Sequence, residues 1–228
     1  MPDLAQNYRR LQNALSACAV QSGHEVRLLA VSKTQTPEQI RLCADLGQKA
    51  FGENYVQEAL EKITVLRQLA LEWHLISPLQ SNKCPAAAAN FDWVQTVDRE
   101  KIIKALDQYR PETLPPLNVL IQVNIDAEPG KSGCTPADIK TLALHVAACR
   151  NLRLRGLMAI PDPATSANGM AFSRMQQLFA RLRENHPGAD TLSMGMSDDF
   201  PAAIAHGANL VRVGSALFGQ RPSKQITP

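Results

Sequence analysis

A chain of 228 residues with 45% hydrophobic content has enough apolar side chains to bury one sizeable core, and a single domain over residues 1–228 is the expectation. Its 24 basic and 21 acidic residues leave a formal charge of +3 without a basic block, and aromatic residues make up only 5%, which argues against a nucleic-acid binder. The five cysteines (Cys18, Cys43, Cys84, Cys134, Cys149) are odd in number and form no CxxC pair, which argues against a disulfide framework and a zinc site and favours reduced thiols in the cytoplasm.

The start MPDLAQNYRR carries charge and no apolar leader core, and no stretch approaches the roughly 18 apolar residues of a membrane span, so neither export nor a bilayer is expected. Leu4, Tyr8, Leu11 and Leu15 then recur at spacings of four, three and four, one face of an amphipathic helix. VRLLAVS reads as a buried strand, followed by the helix TPEQIRLCADLG with Pro37 in its first turn and Gly47 as a stop. The alternation continues with KAFGEN and YVQEALEKITVLRQL, EWHLIS and PLQSNKCPAAAAN, WVQTVD and REKIIKALDQY. LNVLIQVNI is the fifth strand, and its helix opens at Thr135 and Pro136 with Ile139, Leu142 and Val146 on one face. LRLRGLMAI is the sixth, and its helix carries Phe172, Met175, Phe179 and Leu182. Between them ATSANG (164–169) reads as a polar loop, the best candidate for disorder. TLSMGMS with DDFPAAIAHG, then NLVRVGSALFG, complete eight strands alternating with helices. That repeat favours an α/β fold of the (β/α)8 TIM-barrel type with an extra N-terminal helix over an open doubly wound sheet, which needs fewer strands.

In such a barrel the chemistry sits at the C-terminal ends of the strands. Those ends supply Lys33, Glu53 and Asn54, His74 and Ser77, Asn124 and Lys131, Met158 and Pro161, Ser197, and Arg212 to Ser215. Lys33 ends an apolar run, where desolvation would favour the neutral amine that Schiff-base chemistry requires. The plainer alternative is a lysine that snorkels from a strand end. MGMSDDF ends a strand at Ser197 and begins a helix, whose unpaired amides suit an anion; Asp198 and Asp199 read more simply as helix caps. RVGSALFG adds Gly214, which permits close backbone approach, and the hydroxyl of Ser215. Barrel closure makes strand eight the neighbour of strand one, so Lys33 and this cup lie side by side, as an aldehyde phosphate needs. Arg212 could then face a pyridine nitrogen, with a cross-strand salt bridge as its alternative.

LLAVSKT (28–34), FGENYVQEA (51–59), EWHLI (72–76), LQSNK (79–83), LNVLIQVNI (117–125), KSG (131–133), RGLMAI (155–160), LSMGMSDDF (192–200) and VRVGSALFG (211–219) together resemble the pyridoxal-phosphate homeostasis proteins, in consistent order over almost the whole chain. The resemblance implies pyridoxal 5'-phosphate held as a Schiff base on Lys33, its phosphate on Ser197, Gly214 and Ser215, and its ring nitrogen toward Arg212. Asn54 would lie near the ring, with Met194 and Met196 lining the pocket. Ser77 departs from the family, which usually has glycine there. A non-enzymatic carrier in intracellular vitamin B6 homeostasis follows, with apo pyridoxal-phosphate enzymes as candidate partners.

The fold also resembles the N-terminal barrel of alanine racemases, which makes a racemase-like enzyme the competing expectation. Two features weigh against it: the chain ends soon after strand eight, without room for those racemases' β domain, and an arginine at the ring nitrogen weakens the electron sink. A regulatory protein acting through a partner remains a third class. No HxxxH or HExxH suggests a metal, Glu53 as a base has a helix-start acid as its alternative, and GMSDD lacks the second glycine of a hydrolase elbow. Lys131 is read either as a second amine that holds cofactor in transit or as a solvated loop lysine.

Overall fold

The computed structural model describes residues 3–219. α1 (Leu4–Ser22) precedes β1 (Arg27–Val31), and α2 (Pro37–Asp45) leads to β2 (Ala50–Glu53). Next come α3 (Val56–Leu66), β3 (Glu72–Leu75), α4 (Cys84–Asn90) and β4 (Trp93–Val97). α5 (Glu100–Tyr109), β5 (Leu117–Val123), α6 (Ile139–Ala147) and β6 (Leu152–Ala159) follow. α7 (Pro163–Ala167), α8 (Met170–Asn185), β7 (Thr191–Ser193), α9 (Phe200–Ala205), β8 (Leu210–Val213) and α10 (Ser215–Phe218) complete the order. The eight strands form a closed barrel in sequence order, the expected (β/α)8 architecture.

Closure is a parallel pairing of β1 with β8 that sets Leu29 opposite Arg212 and Ala30 opposite Val213. α1 covers this seam from outside. Its buried face, Tyr8, Leu11 and Leu15, packs toward α2, α9 and α10, and Asn7 Nδ2 donates to the Leu217 carbonyl at 3.1 Å. Asp3 caps the helix start by accepting from the Ala5 amide, and Gly23 ends it in the left-handed region. The Thr36–Gln39 capping box with Pro37 at the first turn starts α2 in the same sequence-legible way.

Most apolar residues fill one shell between strands and helices. Trp93, Leu120 and Met158 form a separate buried cluster, and the buried polar set includes His74, Gln95, Gln122, Ser193 and Arg212.

Three segments differ from the sequence reading. The seventh strand ends at Ser193 and not at Ser197, which lies in the turn that leads to α9. The eighth strand stops at Val213, because the Leu217 and Phe218 amides turn back to the Gly214 carbonyl and make α10, with Leu217 fully buried. ATSANG is not a loose loop: its first four residues belong to α7. Asp162 accepts from the Ala164 amide, Pro163 occupies the first turn, Thr165 Oγ1 donates to Asp126 at 2.8 Å and Ser166 is buried. The Asp-Pro start is an ordinary cap signal, but the Asp126 anchor comes from a distant loop.

Gly156 on β6 has φ 142°, and a Cβ there would lie 1.9 Å from the Thr191 carbonyl oxygen, the residue opposite it on β7. Gly156→Ala is therefore expected to lower stability by more than about 3 kcal/mol, or to prevent folding, because backbone must part. Gly188→Ala, where nothing lies within 4 Å, should stay within about 0.5 kcal/mol. Urea unfolding of both variants checks the contrast.

Candidate functional site

At the C-terminal mouth of the barrel lies a cleft of about 320 Å³. Six of the seven residues expected at the site line it: Lys33, Asn54, Ser197, Arg212, Gly214 and Ser215. Val31, Gln35, Ile76, Ile160, Met196, Asp198 and Gly219 complete the lining; of these the sequence singled out Met196 as a pocket residue and Asp198 only as a helix cap. The seventh, Met194, is fully buried in the apolar shell. Strand alternation accounts for this: Ser193 bonds Gln95 and Arg212 inside the barrel, so Leu192 and Met194 on either side face the helices. Met196, beyond the strand and partly exposed, lines the cleft in its place.

Arg212 is 4% exposed and donates to Ser193 Oγ and to the Ala159 carbonyl, each at 2.8 Å. Among the described residues it takes part in none of the ion pairs within 4.0 Å, so the cross-strand salt bridge does not form. Burial lowers its pKa to about 10, against the opposing pull of Asp199, which leaves it a cation at neutral pH. A buried guanidinium with donors directed at a cleft suits an acceptor atom in a ligand.

Ser215 Oγ donates to Ser197 Oγ at 3.1 Å, and the Ala216 amide approaches the same oxygen at 3.5 Å. Two hydroxyls from consecutive βα junctions thus meet at one spot of the rim. Gly214 is needed for a reason additional to ligand approach: a Cβ there would sit 3.3 Å from Val31 of β1, so the glycine lets the two junctions close together. Asp199 caps backward, accepting from the Met196 amide at 2.6 Å, whereas Asp198 is among the residues that line the cleft.

Lys33 stands two residues beyond β1, in a turn where Thr34 adopts φ 65°, an uncommon value for a residue with a β-branched side chain. A buried ion network holds that turn. Lys62 on α3, 4% exposed, donates to the Ser32 carbonyl (2.8 Å), Glu53 Oε1 (2.8 Å) and Glu58 Oε1 (2.6 Å), so three acceptors match its three protons. Ser32 Oγ donates to Glu53 Oε1, and the Thr34 amide donates to Glu58 Oε1, each at 2.6 Å. Glu53 is accordingly a structural acid, with its pKa raised by burial and pulled back by Lys62, and it is not among the lining residues. The role of Lys62 was not visible in sequence, where it is one charge on an amphipathic helix.

Asn54 is fixed through its carbonyl, which accepts from the hydroxyl of Ser77. Among the described residues its side-chain Oδ1 is buried and has no hydrogen-bond partner, an unmet acceptor on a residue of the cleft wall. Elsewhere on this face, Asn124 braces its own loop through Glu128. Lys131 pairs with Glu128 and is not in the cleft lining. Among the described residues no group of three or more His, Cys, Asp or Glu could hold a metal ion, and no helix is long and apolar enough to cross a membrane.

The sequence matches the family model for the alanine racemase N-terminal domain over residues 2–222. It is 48% identical to the pyridoxal phosphate homeostasis protein of Escherichia coli strain K12, over 97% of this chain and 98% of that protein. The protein of the same name from Pseudomonas aeruginosa is also 48% identical, over 97% of each chain. PipY of Synechococcus elongatus, solved with PLP bound, superposes with a TM-score of 0.82 at 33% identity, covering 95% of this chain and all of its own.

The Lys62 network carries its own test. Lys62→Met leaves Glu53 and Glu58 buried or half-buried without their cation and is expected to lower stability by about 3–5 kcal/mol, with part of the loss recovered by adding Glu53→Gln. Urea denaturation measures both. A loss below about 1 kcal/mol in the single variant would mean that the network does not hold the turn.

Proposed function

We propose that the chain, which belongs to the pyridoxal phosphate homeostasis proteins within the family of the alanine racemase N-terminal domain, binds pyridoxal 5'-phosphate in this cleft, as a Schiff base on Lys33. The observation that carries the proposal is the convergence of Lys33, Arg212, Asn54 and the Ser197–Ser215 hydroxyl pair on one cleft. These residue types fit the group's parts: an amine for the aldehyde, hydroxyls for the phosphate, a guanidinium for the ring nitrogen. The binding recorded for PipY supports the same reading.

When bound, the group supplies an aldehyde for covalent attachment and an electron-accepting ring. Lys33 provides the attacking amine from a turn braced by Lys62 and Glu58. Ser197 and Ser215 orient the phosphate at the rim, and the amide of Ala216 adds a donor beside them. Arg212, cationic at neutral pH, donates into the cleft and opposes a proton on the ring nitrogen, which weakens the ring as an electron sink. Racemisation needs acid and base groups on both faces of a substrate, and no tyrosine is among the residues that line the cleft. We therefore assign the protein a carrier or buffering role in vitamin B6 homeostasis, with apo pyridoxal-phosphate enzymes as acceptors, and read it as a cytoplasmic protein of one domain.

Two measurements test this. Borohydride reduction of the loaded protein should fix the label on Lys33, with Lys33→Ala losing it; a labelled peptide carrying any other lysine in its place would sink the assignment. In deuterated water the loaded protein should exchange the α-proton of L-alanine and other amino acids negligibly by NMR. Exchange at several turnovers per second that disappears in Lys33→Ala would favour a racemase-like enzyme instead.

A further inference from the structure

Arg212 is held on one side by a hydroxyl that is itself the start of a longer chain. Arg212 Nη1 donates to Ser193 Oγ (2.8 Å), and Ser193 Oγ donates to Gln95 Oε1 (2.7 Å). Gln95 Nε2 lies 2.8 Å from His74 Nδ1, and His74 Nε2 lies 2.7 Å from Glu72 Oε1. The five residues come from β8, β7, β4 and β3. Ser193, Gln95 and His74 are fully buried, whereas the Glu72 side chain, at the opening residue of β3, is 35% exposed. The chain therefore runs through the barrel from the cleft to the opposite end.

Its polarity is set at both ends. A guanidinium can only donate and an ionised carboxylate can only accept. Glu72 is such a carboxylate: burial opposes its charge, but its hydrogen bonds, that from His74 foremost, and more weakly the cation of Arg27 at 3.8 Å outweigh that and hold its pKa below the usual carboxylate range. His74 Nε2 consequently carries the proton, and Nδ1 presents a lone pair to the Gln95 amide nitrogen. That turns the Gln95 carbonyl toward Ser193, whose hydroxyl proton is committed to it and whose lone pair is left for Arg212. The reverse amide orientation needs a hydrogen on both His74 nitrogens and strips Ser193 of its acceptor. Burial opposes that charge on His74, and the ring is stacked on Trp93 at 5.0 Å with an 8° interplanar angle.

We propose that His74 is a positioning residue for Arg212: its Nε2–H tautomer, fixed by Glu72, orders Gln95 and Ser193 in one direction and so sets the guanidinium that faces the cleft. The anchoring matters because the other partner of Arg212 seen here is a single carbonyl, that of Ala159, with no carboxylate within ion-pair distance among the described residues. The chain is thus one of two holds on a buried cation. The effect on a bound cofactor rests on the reading of the cleft given above, whereas the effect on Arg212 does not.

The experiment separates the two. In the ligand-free parent, a long-range ¹H–¹⁵N correlation should show His74 protonated at Nε2 and bare at Nδ1 at neutral pH. A proton on Nδ1 overturns the proposal without any variant having to fold. In folded ligand-free His74→Phe, which keeps a ring against Trp93, and in Gln95→Met, which cuts the chain at its middle, the Arg212 guanidinium NMR signals should shift and exchange faster with water. Parent-like Arg212 signals in a folded variant also overturn the proposal. Loading with pyridoxal 5'-phosphate should then show affinity weakened about two- to thirtyfold and a displaced absorption band, although neither residue lines the cleft. If the Arg212 signals change while the parent takes up no cofactor, the positioning role stands and the reading of the cleft fails.

Discussion

The parallel pairing of β1 with β8 is the constraint on which the site depends. It sets Leu29 against Arg212 and Ala30 against Val213, and the junctions beyond those pairs are the ones that carry Lys33 and Ser215. The contact is close enough that a side chain at Gly214 would crowd Val31. α1 lies across the outside of the same seam and is tied to α10 through Asn7 and Leu217. Residues 183 positions apart in the chain, Leu29 and Arg212, become neighbours through one strand pairing, so the cleft forms only when the barrel closes.

Two buried cations flank this seam, and each is satisfied in a different way. Lys62 meets three oxygens, two of them from carboxylates, and braces the turn that presents Lys33. Arg212 meets a hydroxyl and a carbonyl, both neutral. A charge buried with neutral partners alone has less compensation for its lost hydration than one buried against carboxylates. The two environments fit two roles: Lys62 is saturated inside the protein, whereas the donors of Arg212 extend to a cleft.

Ser77 ties two loops of the cleft wall together. Its hydroxyl donates to the Asn54 carbonyl, joining the loops after β2 and β3 at a residue of the cleft wall. Among the described residues the Asn54 amide oxygen is buried without a hydrogen-bond partner.

The sequence by itself determined the architecture, because the periodicity of each strand and helix and caps such as Thr36–Pro37 and Gly23 are local signals that need no distant partner. It also placed Lys33, Asn54, Ser197, Arg212, Gly214 and Ser215 at strand ends, and strand ends share one face in this fold. What it could not decide was which way a side chain at a strand end would turn: Met194, next to Ser193, still follows the alternation and packs in the apolar shell, whereas Met196, three residues past the end of β7, no longer does and lines the cleft. Nor did it separate Glu53 the base from Glu53 the structural acid, since the difference is Lys62, nine residues away on a helix whose facing is a tertiary matter. The polar chain from Glu72 to Arg212 was equally hidden. Its five members are scattered over four short strands, and only closure of the barrel brings those strands' interior positions within hydrogen-bond distance of one another.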